Sequence, residues 1–372
     1  MHGVLAFDKF KGTLSALEAC RAAERGLAIA LDDVRFTLCP IADGGEGTVD
    51  ALAARVSGEM LQAEVENAMG TRQVTARYLL DREGGTAYIE MASASGLALL
   101  DEGERDPMRA TTFGTGQLMQ AAVSQGVKRL VLGLGGSATN DGGIGIARAF
   151  GFRFLDDSGA DVRWPQDLVR LDRIIPPEAP VALECIVLAD VTNPLLGPEG
   201  ATAIYGPQKG VTGTTHGLLE SALEHLAEVV ARDLGCDARD TPGAGAAGGC
   251  AFGLISFLGA KLVPGFEYVS EQIGIEEAIT SADWVVTGEG RMDFQTLSGK
   301  GPIGVAALAK AHGKPVIAVC GDIEREARPA LAERFTSLLA LTDDFSVDEA
   351  MANPQHAIEK MTAKLRTLLS DQ

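Results

Sequence analysis

The densest chemistry-bearing stretch of the chain runs Leu132-Gly133-Leu134-Gly135-Gly136-Ser137-Ala138-Thr139-Asn140-Asp141-Gly142-Gly143. An apolar strand passing through glycines into a helix leaves backbone N–H groups and a positive helix end facing an anion. Gly135, Gly136, Ser137, Thr139, Asn140 and Asp141 are therefore candidates for holding phosphate or nucleotide. No Gly-Lys-Ser/Thr follows, so this is not a Walker loop. Gly133-x-Gly135-x-x-Ala138, with Asp156 further on, mimics a dinucleotide fingerprint and keeps open an NAD(P)-dependent oxidoreductase acting on a small hydroxy acid. Against that reading, Asn140, Asp141, Gly142 and Gly143 would fill the first turns of the fingerprint helix, where they are poor formers.

A second loop, Thr287-Gly288-Glu289-Gly290-Arg291-Met292-Asp293, leads to Ser298-Gly299-Lys300-Gly301-Pro302. Glu289 and Asp293 suit Mg2+, which takes one or two carboxylates plus phosphate oxygens. Arg291 and Lys300 can steady phosphate charge. Asp8, Lys9 and Lys11 form a third charged loop, and Asp43 and Glu46 a fourth. Asp190-Val191-Thr192-Asn193-Pro194 is a fifth, an acid closing an apolar strand where it can accept a proton from a substrate hydroxyl. Lys209 adds a cation further on. Each loop taken alone is also readable as a charged surface turn. The five histidines lie outside all of them, so no Ser-His-Asp triad or histidine metal site emerges. Carboxylates, lysines, backbone amides and Mg2+ remain, which are the parts of phosphoryl transfer.

The elements that carry these loops alternate between short apolar runs and helical patterns, the signature of parallel α/β architecture. Strands are expected at Gly3–Phe7, Val34–Cys39, Arg129–Leu132, Cys185–Ala189, Trp284–Thr287 and Val316–Cys320. A helix is expected from about Leu14, where Ser15 and Glu18 have capping-box spacing. Further helices are expected over 112–124, about 267–280, from Ile303, and as one closing helix from Asp348 to Leu369. The runs 73–80 and 86–91 alternate around Asp81-Arg82-Glu83-Gly84-Gly85, which reads as a β-hairpin. That change of rhythm puts a domain boundary near residue 68.

Composition narrows the class. The 372 residues suggest two domains. Apolar residues at 46% with 22% charged exclude wholesale disorder. The net charge of −19 argues against nucleic acid, and it requires local cations or metal wherever an anion is to bind. The cysteines are scattered without a Cys-x-x-Cys pair, as reduced core thiols are. The uncharged run 243–260 is too rich in glycine and alanine to span a membrane. A cytoplasmic protein without membrane contact is expected.

Taken together, the loops resemble bacterial glycerate kinases of the type I family. The motifs Asp8-Lys9-Phe10-Lys11-Gly12-Thr13, Pro40-Ile41-Ala42-Asp43-Gly44-Gly45-Glu46-Gly47-Thr48 and Gly135-Gly136-Ser137-Ala138-Thr139-Asn140-Asp141-Gly142-Gly143 carry the likeness. So do Asp190-Val191-Thr192-Asn193-Pro194-Leu195, Gly206-Pro207-Gln208-Lys209-Gly210 and Gly288-Glu289-Gly290-Arg291-Met292-Asp293. The resemblance implies ATP-dependent phosphorylation of D-glycerate, usually giving 2-phosphoglycerate, with release of ADP. It implies a Rossmann-like domain built from both chain ends (1–68 and 256–372), a central α/β domain with a β-hairpin (69–255), and an active site in the cleft between them. On this reading Asp190 is the base, with Asp43 as the alternative, and Lys9 acts in catalysis. Lys11, Asn193, Lys209 and Arg291 meet the substrate. The 135–143 loop, Ser298 and Lys300 hold phosphates, and Glu289 and Asp293 hold Mg2+. Monomer and homodimer both remain open.

Overall fold

A computed structural model describes residues 1–179, 182–298 and 301–369. Contacts group the chain into two compact units: Met1–Asp43, Asp50–Val56 and Phe266–Gln372 form the first, and Gly44–Val49 with Ser57–Gly265 the second.

The first unit is built on a five-stranded sheet in the order Ser337–Ala340, Val316–Cys320, Trp284–Gly288, His2–Phe7, Arg35–Leu38. Every pairing is parallel. The three central strands are buried from end to end, which is why they read as unbroken apolar runs. From His2–Phe7 the chain goes first to one side, then returns to build the sheet on the other side through Trp284–Gly288. That reversal is a topological switch point, where ligands bind outside the carboxyl ends of the strands. Helix Ala16–Ala30 starts at the expected capping box: Glu18 N–H donates to Ser15 Oγ and Ser15 N–H donates to Glu18 Oε2. Its buried Ala19, Cys20, Ala23 and Leu27 share a core with Leu5, Phe7, Ile358 and Met361.

Two helices expected here are broken. The 267–280 segment forms Gly265–Ile273 and Ile275–Thr280, with Gly274 between them at φ 63°. The closing segment forms Val347–Ala352, Pro354–Ala363 and Arg366–Leu369. Proline disfavours helical backbone in the residue before it, and Asn353 sits at φ −140°, ψ 61°.

The second unit holds a six-stranded sheet in the order Lys261–Val263, Glu184–Leu188, Arg129–Gly133, Thr86–Glu90, Gln73–Asp81, Glu59–Glu66. The first four strands are mutually parallel, and each of the last two pairs antiparallel with the strand before it in this order. Gln73–Asp81 and Thr86–Glu90 form the expected hairpin. Glu59–Glu66 extends it as a largely polar edge strand, so the change of architecture comes at residue 57 rather than near 68. The run 243–260 forms the buried helix Ala246–Leu258, whose first turn contains left-handed Ala247, Gly248 and Gly249. A Cβ on Gly248 would stand 2.1 Å from the Thr139 carbonyl oxygen. Glycine therefore lets this helix press onto the 139–143 loop, and Gly142 N–H donates to Gly248 O at 3.1 Å.

Gly288 ends a central strand of the first unit, and a Cβ there would lie 1.8 Å from the Val319 carbonyl oxygen on the neighbouring strand. Backbone cannot rotate aside as a side chain can. Gly288→Ala is expected to lose roughly 1–3 kcal/mol of stability, the usual range for overpacking. Urea unfolding followed by tryptophan fluorescence measures this, because Trp284 lies on the same strand; an unchanged midpoint would refute it.

Candidate active site

In the first unit, Asp8 follows the strand His2–Phe7 and Glu289 follows Trp284–Gly288, so the two acids flank the switch point. Asp43 follows the third strand at that end, Arg35–Leu38. Asp8 is 8% exposed, and burial pushes its carboxyl up to about 6, with Lys9 opposing and Asp43 reinforcing the shift. Burial pushes Glu289 up to about 7, and the charges of Asp8, Asp293 and Asp43 add to it. Asp8 and Glu289 thus carry raised pKa values among further acids, a crowding that a cation would relieve.

The surrounding hydrogen bonds fix these groups. Lys9 N–H donates to Asp8 Oδ1 at 2.6 Å, and the Lys9 ammonium lies 3.8 Å from the same oxygen. Thr296 Oγ1 donates to Glu289 Oε1 at 3.0 Å, while Asp293 Oδ1 accepts from Thr296 N–H. Asp293 thereby opens the helix Phe294–Ser298. The helix Gly301–Ala311 begins beside Asp8, whose Oδ2 would be 3.4 Å from a Cβ on Gly301. Lys11 is exposed, and Arg291 is exposed with its Nε 4.0 Å from Asp322. Lys300 and the Ser298 side chain lie outside the described residues.

In the second unit, the 133–145 loop and Asp190 leave the carboxyl ends of adjacent parallel strands, where Gly133 pairs with Leu188. Asp190 is exposed, and its Oδ1 accepts from Gly265 N–H at 3.1 Å. Asn193 is half-buried, accepting from Tyr205 Oη at 2.6 Å and donating to Glu199 O at 2.8 Å.

Asp141 is fully buried and has five donors: Thr112 N–H, Thr112 Oγ1, Thr111 Oγ1, Gly143 N–H and Gly145 N–H. Burial raises its pKa, and the hydrogen bonds oppose the rise. Its carboxylate thus holds the loop and the starts of the helices Phe113–Val123 and Ile144–Ala149. Lys209 is 2% exposed, and its ammonium donates to Ser137 Oγ and Thr139 O, both at 2.8 Å. Burial pulls its pKa down to about 8, while Cys250 and Asp141 oppose the change. Asn140 Nδ2 donates to Thr202 Oγ1, but Asn140 Oδ1 and Thr139 Oγ1 are buried without a partner among the described residues. Such orphaned polar atoms call for an ordered water or a ligand. Gly135 is half-buried and Gly136 exposed, so the loop reaches solvent at its start.

The dinucleotide reading fails on geometry. The chain enters no helix after Ala138; the helix starts at Ile144. Asp156 accepts from Ser158 N–H, Ser158 Oγ and Ala160 N–H, which commits it to its own turn. The sequence marks Asp8 only as part of a charged loop, and its burial beside the switch point becomes visible in the fold. Thr111 and Thr112 carried no signal at all, because their partner is remote in sequence.

Glu289 and the neighbouring acids fit a divalent cation only with help. Among the described residues no three His, Cys, Asp or Glu side chains converge on one metal centre. Mg2+ needs only one or two carboxylates when phosphate oxygens and water complete its shell, so Glu289 and Asp293 suit a cation that arrives with a nucleotide.

The model of the glycerate kinase family matches residues 3–370. A glycerate kinase of Halalkalibacterium halodurans is 41% identical across 99% of this chain and 98% of its own length. A glycerate 2-kinase of Escherichia coli K12 is 42% identical over 87% of this chain and 86% of its own. The crystal structure of a Salmonella typhimurium LT2 protein assigned as glycerate kinase 2 superposes with a TM-score of 0.85 at 38% identity, covering 100% of this chain and 98% of that one.

Metal-free protein offers a direct check on the switch-point acids. Asp8 and Glu289 have raised pKa values, so the folded state holds their protons longer than the unfolded state does. Their stabilising effect is complete below the ordinary carboxylate range and is lost as pH rises through about 6 and 7. Glu289→Gln cannot ionise. It is expected to raise the Tm at pH 8 in EDTA and to leave it nearly unchanged at pH 4; equal shifts at both pH values would refute the coupling.

Proposed function

The chain belongs to the glycerate kinase family and is a phosphotransferase with an alcohol acceptor; from that premise we propose that it transfers the γ-phosphoryl group of ATP to the 2-hydroxyl of D-glycerate, releasing ADP and 2-phospho-D-glycerate. One observation of the molecule itself carries the phosphoryl-transfer chemistry: Asp8, Asp43, Glu289 and Asp293 load negative charge onto the switch point of a parallel sheet, next to a helix start. Phosphoryl transfer is catalysed mainly by positioning and charge neutralisation, and this arrangement suits both.

Glu289 and Asp293, with Asp8 alongside, would hold Mg2+, which when bound neutralises charge on the transferring phosphate oxygens. Lys9 sits beside Asp8 and can meet phosphate or carboxylate charge, and Lys11 and Arg291 are exposed cations on neighbouring loops. In the second unit Asp190 accepts the proton of the attacking hydroxyl, and the new O–P bond forms as the bond to ADP breaks. Lys209, fixed by Ser137 and Thr139, supplies positive charge to the loop that carries Gly135, Gly136 and Asn140. Asn193 is steadied by Tyr205 for contact with the substrate. Asp141 acts by holding the loop rather than by touching phosphate, given its five internal donors. All six cysteines are free, in keeping with a cytoplasmic protein, and among the described residues no helix is long and apolar enough to cross a membrane.

Product identity is tested by incubating the protein with ATP, Mg2+, D-glycerate and enolase, with no mutase present. Phosphoenolpyruvate absorbance is expected to appear; ADP release without it would assign the 3-hydroxyl instead. The base is tested by substitution. Asp190→Asn is expected to lower kcat by about 10²–10⁴, the usual scale of general-base catalysis, with a smaller change in KM. Near-normal turnover in Asp190→Asn together with loss in Asp43→Asn would move the role to Asp43.

A further inference from the structure

The second unit contains a cavity of about 140 Å3 whose lining includes Phe113, Arg148, Phe152, Arg153, Phe154 and Asp161. None of these residues belongs to the nucleotide- or glycerate-handling set. Arg148 lies on the helix Ile144–Ala149, half-buried, with its guanidinium 5.1 Å from the centre of the Phe113 ring. Among the described residues no hydrogen bond or ion pair engages that guanidinium. Five N–H donors are thus held partly out of water with only an aromatic face against them. Desolvation lowers the Arg148 pKa and the nearby Arg163 adds to the effect, while the charges of Asp141, Asp161 and Glu66 oppose it.

The rim does not neutralise this charge. Asp161 stands 3.9 Å from Arg153 and 3.4 Å from Arg163, so one carboxylate is shared by two guanidiniums. The lining itself sets two guanidiniums, Arg148 and Arg153, against the single carboxylate of Asp161, while Asp141 and Glu66 act on Arg148 from outside it, on a chain of net charge −19. Surface acidity of that size repels anions elsewhere, so an anion held here must be attracted locally. A planar guanidinium buttressed on a ring presents the fork that matches carboxylate or phosphate oxygens. Phe152 and Phe154 add apolar wall for a short carbon body. A water occupies ~30 Å3 of liquid, so the volume equals about five waters, enough for phosphate or a carboxylate of three or four carbons.

We propose that this cavity is a binding site for a small carboxylate or phosphate anion, held by Arg148 and distinct from the site for glycerate and ATP. The test uses the full chain with saturating ADP, Mg2+ and D-glycerate, titrated separately with propionate and with inorganic phosphate while Tm is followed. A saturable rise in Tm is expected with at least one of them, and which one responds identifies the anion class. Arg148→Met keeps the apolar contact with Phe113 and is expected to abolish the rise while kcat/KM for glycerate stays unchanged. Arg148→Lys is expected to weaken the response roughly tenfold, because a point charge replaces a bidentate fork. If Arg148→Met does not fold, Arg153→Gln serves instead and should shift the titration midpoint upward. An equal rise in wild type and variants, or no saturable rise with either anion, overturns the proposal.

Discussion

The second unit depends on one buried carboxylate. Asp141 is removed from water entirely, which by itself would cost several kcal/mol, and five donors converge on it in compensation. Three of those donors are backbone N–H groups at or next to helix starts, positions that have no partner within their own helices. Asp141 therefore does for two helices what a capping residue does for one. The glycines around it follow from this. Gly143 adopts φ 76° directly before the helix Ile144–Ala149, and Gly248 brings a second helix against Thr139. An aspartate that reads as a phosphate neighbour in the sequence is, in the fold, the anchor that lets Ser137 and Thr139 hold Lys209.

The first unit stores the opposite kind of tension. Asp8 and Glu289 are partly or largely withdrawn from water, and the charge of Asp8 opposes the ionisation of Glu289 while that of Asp43 opposes both. A fold selected for stability alone would replace such a pair with apolar residues. Their position at the carboxyl ends of the two strands that flank the switch point explains why they are there. Open parallel sheets present ligands at that edge, where charge left unbalanced by the protein can be balanced by what binds.

Much of this was legible in the sequence wherever the signal was local. The strand Val316–Cys320 coincides with its apolar run, and Ser15 with Glu18 forms the capping box that their spacing announces. The hairpin is marked by its turn chemistry. What escaped was either remote or masked. Thr111 and Thr112 matter only because Asp141 meets them across the fold. Glu59–Glu66 is an edge strand whose glutamates hide its pairing, so the passage between architectures was read too late. The closing helix was read as one piece because its apolar spacing continues through Pro354, although backbone sterics end a helix there. Residue types and spacing mark the loops Asp8–Lys11, 133–143 and 288–293 as chemistry-bearing, while that Asp141 is buried among five donors and Asp190 is exposed could be known only from the fold.

Burial also resolves how so acidic a chain can handle anions. Its net charge of −19 would keep a carboxylate or phosphate away unless cations were shielded from that field. Lys209 is the clearest case. Two hydrogen bonds hold its ammonium in place, but desolvation lowers its pKa to about 8, so it remains mostly charged near neutrality with little margin. An approaching anion strengthens that charge, because it favours the protonated ammonium over the neutral amine. The same buried position makes the lysine expensive, and it leaves the interactions of the ammonium with Ser137 and Thr139 less screened than they would be at the surface.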